Sequence, residues 1–422
     1  MIANQEAAVA ATSNLSDRYA KAQEKTRAEM DREIQTLRSR EDFIEEYSYF
    51  LTLLREGTSP QKLQERTGRQ AIPMLCVQVP LELIHAAGFA PFKLYSGSFQ
   101  AASGVVAGIP ALMCPMLSSL FGMLMMDESA CELPWVLPTT CDWIVKFPEM
   151  IRLKSREPRI HWVELPHLKE TSRGERVWLE EVYRLKAFLE ETGKTKISRN
   201  SLAASIQVYN LAWEALCALE ERRNQGHIPF LWYLTIANAF FYDAPEAWTA
   251  QVWQVLQALA TAPMPEATRR VFVAGSPIFF PGFKIPHLLE EAGLVVTGDD
   301  LCSSARIFPG NANPKGSVDD CIASLAEQYH HGCLCPTFAD NDRRVNNILA
   351  ASENFEGVIY QILKGCHPCD IESYSLERPI KAKDLRYLRL ETDYTPEDSR
   401  NLLNRLEAFS QTLVPGTRGG LY

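Results

Sequence analysis

The sequence predicts an α/β protein with two parallel-sheet domains. Short apolar runs alternate with helical patterns from about residue 70, and a second such series begins near residue 269. Alternation of strands with helices is typical of parallel sheets, because two parallel neighbours need a long crossover connection. The chain has 422 residues, of which 46% are hydrophobic, so it can build two or three domains with sizeable cores.

The N-terminal part is predicted to be helical. Residues 15–55 are rich in charge and carry apolar side chains at helical spacing, which indicates one or two helices that dock on the rest of the protein. We therefore assign residues 1–68 to an N-terminal helical segment.

The first α/β domain is predicted over residues 69–200. A helix over 80–88 ends at Gly88, as glycine favours at a helix C-terminus. A second helix is expected over 175–190. The strand candidates are the apolar runs 71–79, 92–97, 110–115, 135–141 and 159–165.

A helical connector is predicted over residues 201–265, since residues 201–223 are strongly helical in pattern. The second α/β domain then occupies residues 266–422 and contains a helix over 287–293 that stops at a glycine. Its strand candidates are residues 269–278, 294–300, 356–363 and 386–394.

Charge and apolar segments exclude some classes of protein. The formal net charge of −9 argues against a broad nucleic-acid surface. The apolar run 107–126 is long enough to cross a bilayer, but Pro110 and Pro115 interrupt it, so we expect a buried helix and no membrane association. The first thirty residues have no apolar core typical of a signal peptide. We expect a cytoplasmic protein, in which cysteines do not form structural disulfides.

The positions of the cysteines suggest a common site. Six of the eleven cysteines stand at or just beyond the ends of predicted strands. In open α/β sheets, ligands bind outside the carboxyl ends of the strands, so these six thiols are expected to converge. They are Cys76, Cys114, Cys141, Cys302, Cys335 and Cys366. Cys217 and Cys321 fall within helical patterns and are expected to pack in the core.

The residues alone leave several explanations for these thiols. They can be buried apolar side chains, or a structural zinc site of four thiolates. Cys366-His367-Pro368-Cys369 can also be a redox dithiol. Iron–sulfur clusters, which are held by thiolates, account best for ligands scattered over two domains. The zinc alternative uses Cys333, Cys335, Cys366 and Cys369 and leaves the other strand-end cysteines unexplained.

Five stretches together resemble a known family. They are "CVQVPLELIHAAGFAPFKL" (76–94), "TTCDW" (139–143), "VVTGDDLCSSAR" (295–306), "EGVIYQILKGCHPCDIES" (356–373) and "LRLETDYT" (388–395). In this order they resemble the 2-hydroxyacyl-CoA dehydratase and benzoyl-CoA reductase superfamily, over residues 70 to 410. The resemblance implies flavodoxin-like α/β domains around an iron–sulfur site.

The resemblance also implies a ligand set. Dehydratase subunits of this family hold one 4Fe–4S cluster with three cysteines, which match Cys76, Cys114 and Cys366 here. The surplus cysteines look like the double-cubane branch, in which two cubanes share a sulfide to give an 8Fe–9S cluster with six thiolates. Those surplus cysteines are Cys141, Cys302 and Cys335. Cys333 is a near-equal alternative to Cys335, whereas Cys131 and Cys369 are left over.

Function and partners follow from the same resemblance. It implies an oxidoreductase that reduces small molecules and receives low-potential electrons from a homodimeric ATPase, the activator or archerase. The chain has no G-x-x-x-x-G-K-[ST] pattern, so ATP hydrolysis is expected in that partner. A homodimer is expected for the chain itself. The alternatives are a single-cluster subunit of an acyl-CoA dehydratase or reductase, and a non-catalytic electron-transfer or zinc-stabilised binding protein.

A few polar residues are candidates for supporting roles. His367 follows Cys366 and can donate a proton or a hydrogen bond to cluster sulfur. Glu82 matches the family stretch P-x-E-L and is expected either to act in catalysis or to stabilise a helix start. Asp299 and Asp300 precede Cys302 and are expected to orient its loop. His330 and His331, near Cys333, are expected to line an access path.

Overall fold

The computed structural model describes residues 2–104, 113–153, 155, 157–259, 269–339 and 341–413. The helices are α1 (Ile2–Arg38), α2 (Tyr47–Glu56), α3 (Pro60–Thr67), α4 (Leu81–Ala86), α5 (Phe99–Gly104), α6 (Pro115–Met126), α7 (Asp142–Ile151), α8 (Ser172–Gly193), α9 (Arg199–Asn224), α10 (Phe230–Asn238), α11 (Pro245–Ala258), α12 (Lys284–Glu291), α13 (Val318–Gly332), α14 (Asp342–Ala350), α15 (His367–Ala382) and α16 (Ser399–Thr412). The strands are β1 (Ala71–Pro73), β2 (Ala90–Phe92), β3 (Trp135–Pro138), β4 (Ile160–Val163), β5 (Arg269–Gly275), β6 (Leu294–Asp300), β7 (Gly357–Leu363) and β8 (Arg386–Thr392).

The strands form two parallel layers with the same order. In the C-terminal half the order is β6-β5-β7-β8, with every pair parallel. In the N-terminal half, β1 pairs with β2 and β3 pairs with β4, and a parallel bridge from Met74 to Val136 joins the two pairs. When the four strands of each half are numbered 1 to 4 along the chain, their spatial order across the layer is 2-1-3-4 in both halves. Flavodoxin-like sheets begin with this order, so the predicted α/β class with two parallel sheets is confirmed.

The predicted strands of the second series match the structure closely, whereas those of the first series are shorter than predicted or displaced. The predicted strand 92–97 is wrong, because β2 covers Ala90–Phe92 and residues 93–97 form no strand. β1 ends at Pro73, so most of the run 71–79 is not a strand. The chain turns there because Cys76 has a left-handed backbone with φ +71°. Of the predicted strand 110–115, residues 113–115 are not extended into a strand, and 110–112 lie outside the described residues. The domain boundaries stay predictions.

The N-terminal helices dock on both halves of the protein, as predicted. The Glu29 carboxylate accepts hydrogen bonds from the backbone N–H groups of Phe99 (3.1 Å) and Gln100 (3.2 Å), at the start of α5. Glu33 lies 2.8 Å from the ring nitrogen of His287 on α12. Helix α1 therefore bridges the first and second series of elements.

The long helix α9 lies between the two layers. It begins at a capping box formed by Ser198 and Ser201. Among the described helices, α9 is the one whose length and hydropathy would allow a membrane span, and half of its apolar window is buried within the protein. Leu202, Ile206 and Leu216 of α9 are fully buried in the main core. These contacts are those of a core helix.

Candidate functional site

The carboxyl ends of the two middle strands of each layer define the site. In the 2-1-3-4 order, the chain leaves the first and third strands in opposite directions, which opens a crevice at their carboxyl ends. Cys76 follows β1 and Cys141 follows β3. In the other layer, Ser276 follows β5 and Cys366 follows β7. The topology thus places three of the predicted cysteines at these two crevices.

Cys76 is held in a constrained turn within the first crevice. Its backbone N–H donates a 2.7 Å hydrogen bond to the hydroxyl of Tyr95. Burial raises the pKa of the Cys76 thiol well above its ordinary value, and the neighbouring thiolates of Cys335 and Cys302 raise it further. Left-handed non-glycine residues are uncommon and concentrate at functional sites, which agrees with a binding role for this turn.

Cys335 reaches the first crevice by a route that the strand pattern did not predict. The element directly before Cys335 is the helix α13, not a strand, and Cys335 lies in the loop 333–339 between α13 and α14. The prediction that Cys335 stands at a strand end is wrong, because that stretch ends a helix and docks as a loop. The Thr337 hydroxyl donates to the carbonyl of Thr140, and the Ala339 N–H donates to the carbonyl of His167 at 3.0 Å. A loop from the second half is thereby fastened to the first sheet.

This docked loop completes a first set of thiols, Cys76, Cys141, Cys302 and Cys335. The pKa of Cys141 and that of Cys335 are each raised to about 11 by burial. The charge of Cys335 contributes to the shift at Cys141, and the charge of Cys302 contributes to the shift at Cys335. Each of these four predicted cysteines is thus within electrostatic range of at least one other member of the set.

The loop that carries Cys302 is ordered by Asp299. The Asp299 carboxylate accepts hydrogen bonds from the Leu301 N–H (3.0 Å) and the Ser304 hydroxyl (2.6 Å). It also pairs with the buried guanidinium of Arg223 on α9. Asp299 thus orients the turn after β6, as the sequence suggested.

A second set of thiols comprises Cys114, Cys366 and Cys369. Cys114 precedes α6 and Cys366 precedes α15. The pKa of Cys366 is raised, chiefly by the neighbouring Cys114 thiol, and the pKa of Cys369 is raised, chiefly by the neighbouring Cys366 thiol. The sequence left Cys369 over as a spare residue, but the fold buries it inside this set. The charge of Cys369 also acts on Cys335, so the two sets are neighbours.

The remaining cysteines have different surroundings. Cys333 adjoins the first set: it is buried and its thiol lies 3.4 Å from the carbonyl oxygen of Val77. Cys131 and Cys321 are buried in the main core, and Cys217 is half-buried midway along α9. Within the described part of the chain, no three His, Cys, Asp or Glu side chains are close enough to hold a single metal ion.

Three cations, two buried lysines and one half-buried arginine, lie around the first set, and sequence reasoning missed all of them. The Lys93 ammonium donates a 3.1 Å hydrogen bond to the carbonyl of Cys302. The Lys169 ammonium donates to the carbonyl of Cys333 at 2.9 Å. Arg306 donates to the carbonyl of Leu334 and forms an ion pair with Asp300 at 2.6 Å. Burial lowers the pKa of both lysines, whereas nearby thiolates raise it. Positive charge at this density suits an anionic group bound by the thiols.

A large cavity opens beside the thiols. Its volume is about 820 Å³, and its wall includes Cys141, Thr337 and His367. His367 is exposed at the start of α15, next to Cys366. The size is that of a pocket for a small-molecule ligand. The wall contains Cys141 of the first thiol set and His367, which is adjacent in sequence to Cys366 of the second set.

The other predicted residues lie away from this cavity wall. Glu82 is buried, and its carboxylate accepts a 2.9 Å hydrogen bond from the Tyr329 hydroxyl. Burial raises its pKa to about 7, and its charge acts on Cys333. His330 is buried with a ring nitrogen 2.7 Å from the carbonyl of Lys169. His331 lines a separate cavity of about 650 Å³ that also reaches Arg306.

The fold and the site together define a class: an α/β protein with two parallel sheets and a cluster of buried and half-buried cysteines near the carboxyl ends of their middle strands. The family model of the 2-hydroxyglutaryl-CoA dehydratase D-component matches residues 76–413. The chain belongs to this family of CoA dehydratase and reductase subunits.

Individual relatives cover most of the chain at modest identity. A putative dehydratase subunit, YjiM, of Escherichia coli is 27% identical over 375 residues, which cover 83% of this chain and 93% of the relative. The beta subunit of (R)-2-hydroxyglutaryl-CoA dehydratase from Acidaminococcus fermentans is 24% identical, and the match covers 82% of this chain and 93% of the relative. A benzoyl-CoA reductase subunit from Thauera aromatica is 22% identical, and the match covers 74% of this chain and 82% of the relative.

Proposed function

We propose that this chain is the iron–sulfur component of an ATP-dependent reductase and that its clustered thiols hold a double-cubane 8Fe–9S cluster. The observation that carries the proposal is the division of seven thiols into two adjacent sets, each with at least three members. A cubane of this class takes three thiolates, so one set suits each cubane. When bound, such a cluster supplies low-potential electrons one at a time.

The described residues fit such a group. Thiolates are the ligands of iron–sulfur clusters, and each thiolate binds a different iron, so the ligands lie further apart than around one metal ion. Buried cations beside the first set offset the negative charge of thiolates and sulfides. We propose Cys76, Cys302 and Cys335 for one cubane, with Cys141 or Cys333 as alternates, and Cys114, Cys366 and Cys369 for the other.

The cavity of about 820 Å³ is the proposed substrate site. Its wall brings a small molecule next to Cys141 and, through His367, next to Cys366. His367 is the proposed proton donor, because its imidazole is exposed on the cavity wall, next to Cys366. Glu82 faces Tyr329 in the interior, so its proposed role is the stabilisation of α4 near the first set.

The proposed partners follow from the family. Electrons reach the chain from an activator ATPase, since the sequence itself lacks a phosphate-binding loop of the Walker type. We further propose a cytoplasmic homodimer that contacts neither nucleic acid nor membrane. The net charge of −9 supports the first of these exclusions.

A second candidate is a subunit with one 4Fe–4S cluster that acts on an acyl-CoA. The names of the relatives favour it: one is a subunit of (R)-2-hydroxyglutaryl-CoA dehydratase and another of benzoyl-CoA reductase. In that case Cys76, Cys114 and Cys366 hold the cluster and the other thiols are packing residues.

Metal analysis tests the two candidates. Iron, acid-labile sulfide and zinc are measured per chain after anaerobic purification. We expect about eight iron for a double cubane and about four for a single cluster. Zinc without iron would overturn both.

Cysteine variants then assign the ligands. Cys302→Ser is expected to remove about half of the iron, because it deletes a ligand of one cubane only. Cys217→Ser is the matched control, since Cys217 lies within α9 and outside both thiol sets. Unchanged iron in the Cys302 variant would contradict the double-cubane proposal.

A further inference from the structure

Two buried lysines lie beside the first thiol set, and the carboxylate of Glu170 acts on one of them, Lys169, only at longer range than an ion pair. Lys93 and Lys169 are each only 2% exposed. Within the described ranges, neither ammonium forms an ion pair with a carboxylate; their polar contacts are the carbonyl oxygens of Cys302 and Cys333. A buried charge without a counter-charge is strongly unfavourable. Two such charges beside one group of thiols indicate that an anion belongs between them.

Aromatic rings complete the surroundings of both ammonium groups. The Lys93 nitrogen lies 4.9 Å, 5.1 Å and 5.2 Å from the ring centroids of Tyr95, Phe241 and Phe279. The Lys169 nitrogen lies 4.3 Å from the centroid of Phe338. Ring faces attract a cation and exclude water. Each charge is therefore fixed in place and poorly screened, so it acts strongly on its neighbours.

The second thiol set lacks this arrangement. Lys364, near Cys366, is 52% exposed at its side chain and pairs with Asp393 at 2.7 Å. Arg344, which acts on Cys369, is neutralised by Asp300 and by Glu372. Among the described residues near the two sets, the ammonium groups without an ion-paired carboxylate therefore lie on the side of Cys76, Cys302 and Cys335.

From this geometry we infer that Lys93 and Lys169 raise the reduction potential of the group held by the first thiol set. The inference rests on the proposed iron–sulfur function. Reduction adds one electron, taken from an external low-potential donor, and so adds one negative charge to the bound group. A fixed ammonium stabilises that added charge more than it stabilises the oxidised state. The two lysines are positioning residues, since they act on the potential and take no part in bond making.

The test is a reductive titration of the anaerobically purified full chain with titanium(III) citrate, followed by electron paramagnetic resonance. Lys93→Met and Lys169→Met are each expected to lower the ratio of reduced to oxidised cluster at a fixed potential by at least about tenfold. For a one-electron couple this is a shift of about 59 mV to more negative potential. Lys93→Arg and Lys169→Arg keep the charge and are expected to stay within about threefold of wild type.

Lys364→Met is the matched control, because it removes an exposed and paired ammonium near the second set, and a shift below about threefold is expected. Iron-loaded Met variants whose titration curves coincide with wild type would overturn the inference. Both Met variants can fail to load iron. In that case, Arg variants that retain iron support a role for the positive charge, and Arg variants that lose iron overturn the inference. A wild-type chain without iron would instead refute the proposed function.

Discussion

The ion pair between Arg223 and Asp299 supports the loop that carries Cys302. Mutating it tests whether this loop keeps the first thiol set in place. Arg223 and Asp299 are both fully buried, and the guanidinium of one meets the carboxylate of the other. We predict that Arg223→Met destabilises the protein by about 3–5 kcal/mol, because it leaves a buried carboxylate without its cation. Within the described chain, Asp299 forms no second ion pair.

The reciprocal change is expected to cost less. Asp299→Asn retains an oxygen that can accept the hydrogen bonds of Leu301 and Ser304. It leaves Arg223 with three further partners: the side-chain oxygen of Asn224 at 3.0 Å, the Glu220 carboxylate at 3.7 Å and the ring of Tyr233 at 4.3 Å. We therefore expect about 1–3 kcal/mol, the range for a weakened buried hydrogen bond.

Urea unfolding followed by tryptophan fluorescence measures both variants, and iron content reports on the loop itself. Arg223→Met is expected to lose iron together with stability, since the turn after β6 carries Cys302. The double variant Arg223→Met with Asp299→Leu is expected to be more stable than the sum of its single changes, as for coupled neighbours. A loss below about 1 kcal/mol for Arg223→Met, or equal losses for the two single variants, would refute this account.

Two further predictions concern stability. Burial raises the pKa of Glu82 from 4.5 to about 7, so its carboxyl favours the folded state below about pH 4.5, and this contribution is lost as the pH rises to about 7. As the pH is raised from about 4 to about 8, the free energy of unfolding of Glu82→Gln should therefore rise by about 3 kcal/mol relative to that of wild type, measured by urea unfolding. Parallel pH profiles of the two proteins would contradict this. Gly275 ends β5 with φ +105°, and a Cβ there would lie 2.0 Å from the backbone oxygen of Gln361. Gly275→Ala is expected to lower the free energy of unfolding more than the control Gly88→Ala does. Gly88 has φ +87° with open space around it, so its variant should lose about 1 kcal/mol. Equal urea midpoints for the two variants would show that the β7 backbone moves to accommodate the new Cβ.

The sequence determined most elements of the second series and the thiol-rich composition of the site. The strands of the second series, such as β6 and β7, were predicted almost to the residue, because their apolar runs are continuous and bounded by turn residues. Parallel strands bring their carboxyl ends to one edge, so the strand pattern by itself placed Cys76 and Cys141 at the same edge of the first sheet and Cys366 at the corresponding edge of the second. These predictions depend on residues that are close together in the sequence, so they need no knowledge of the tertiary structure.

Tertiary packing alone decided which thiols share a set and which charges face them. Cys335 joins the first set only because its loop docks on the Thr140 backbone, 197 residues away in sequence. Lys93 meets Cys302 across 209 residues. Neither contact leaves a periodic pattern in the sequence, since each depends on how separately formed elements pack. For the same reason, Cys369 looked expendable in sequence, although the fold buries it against Cys366 and Ser276.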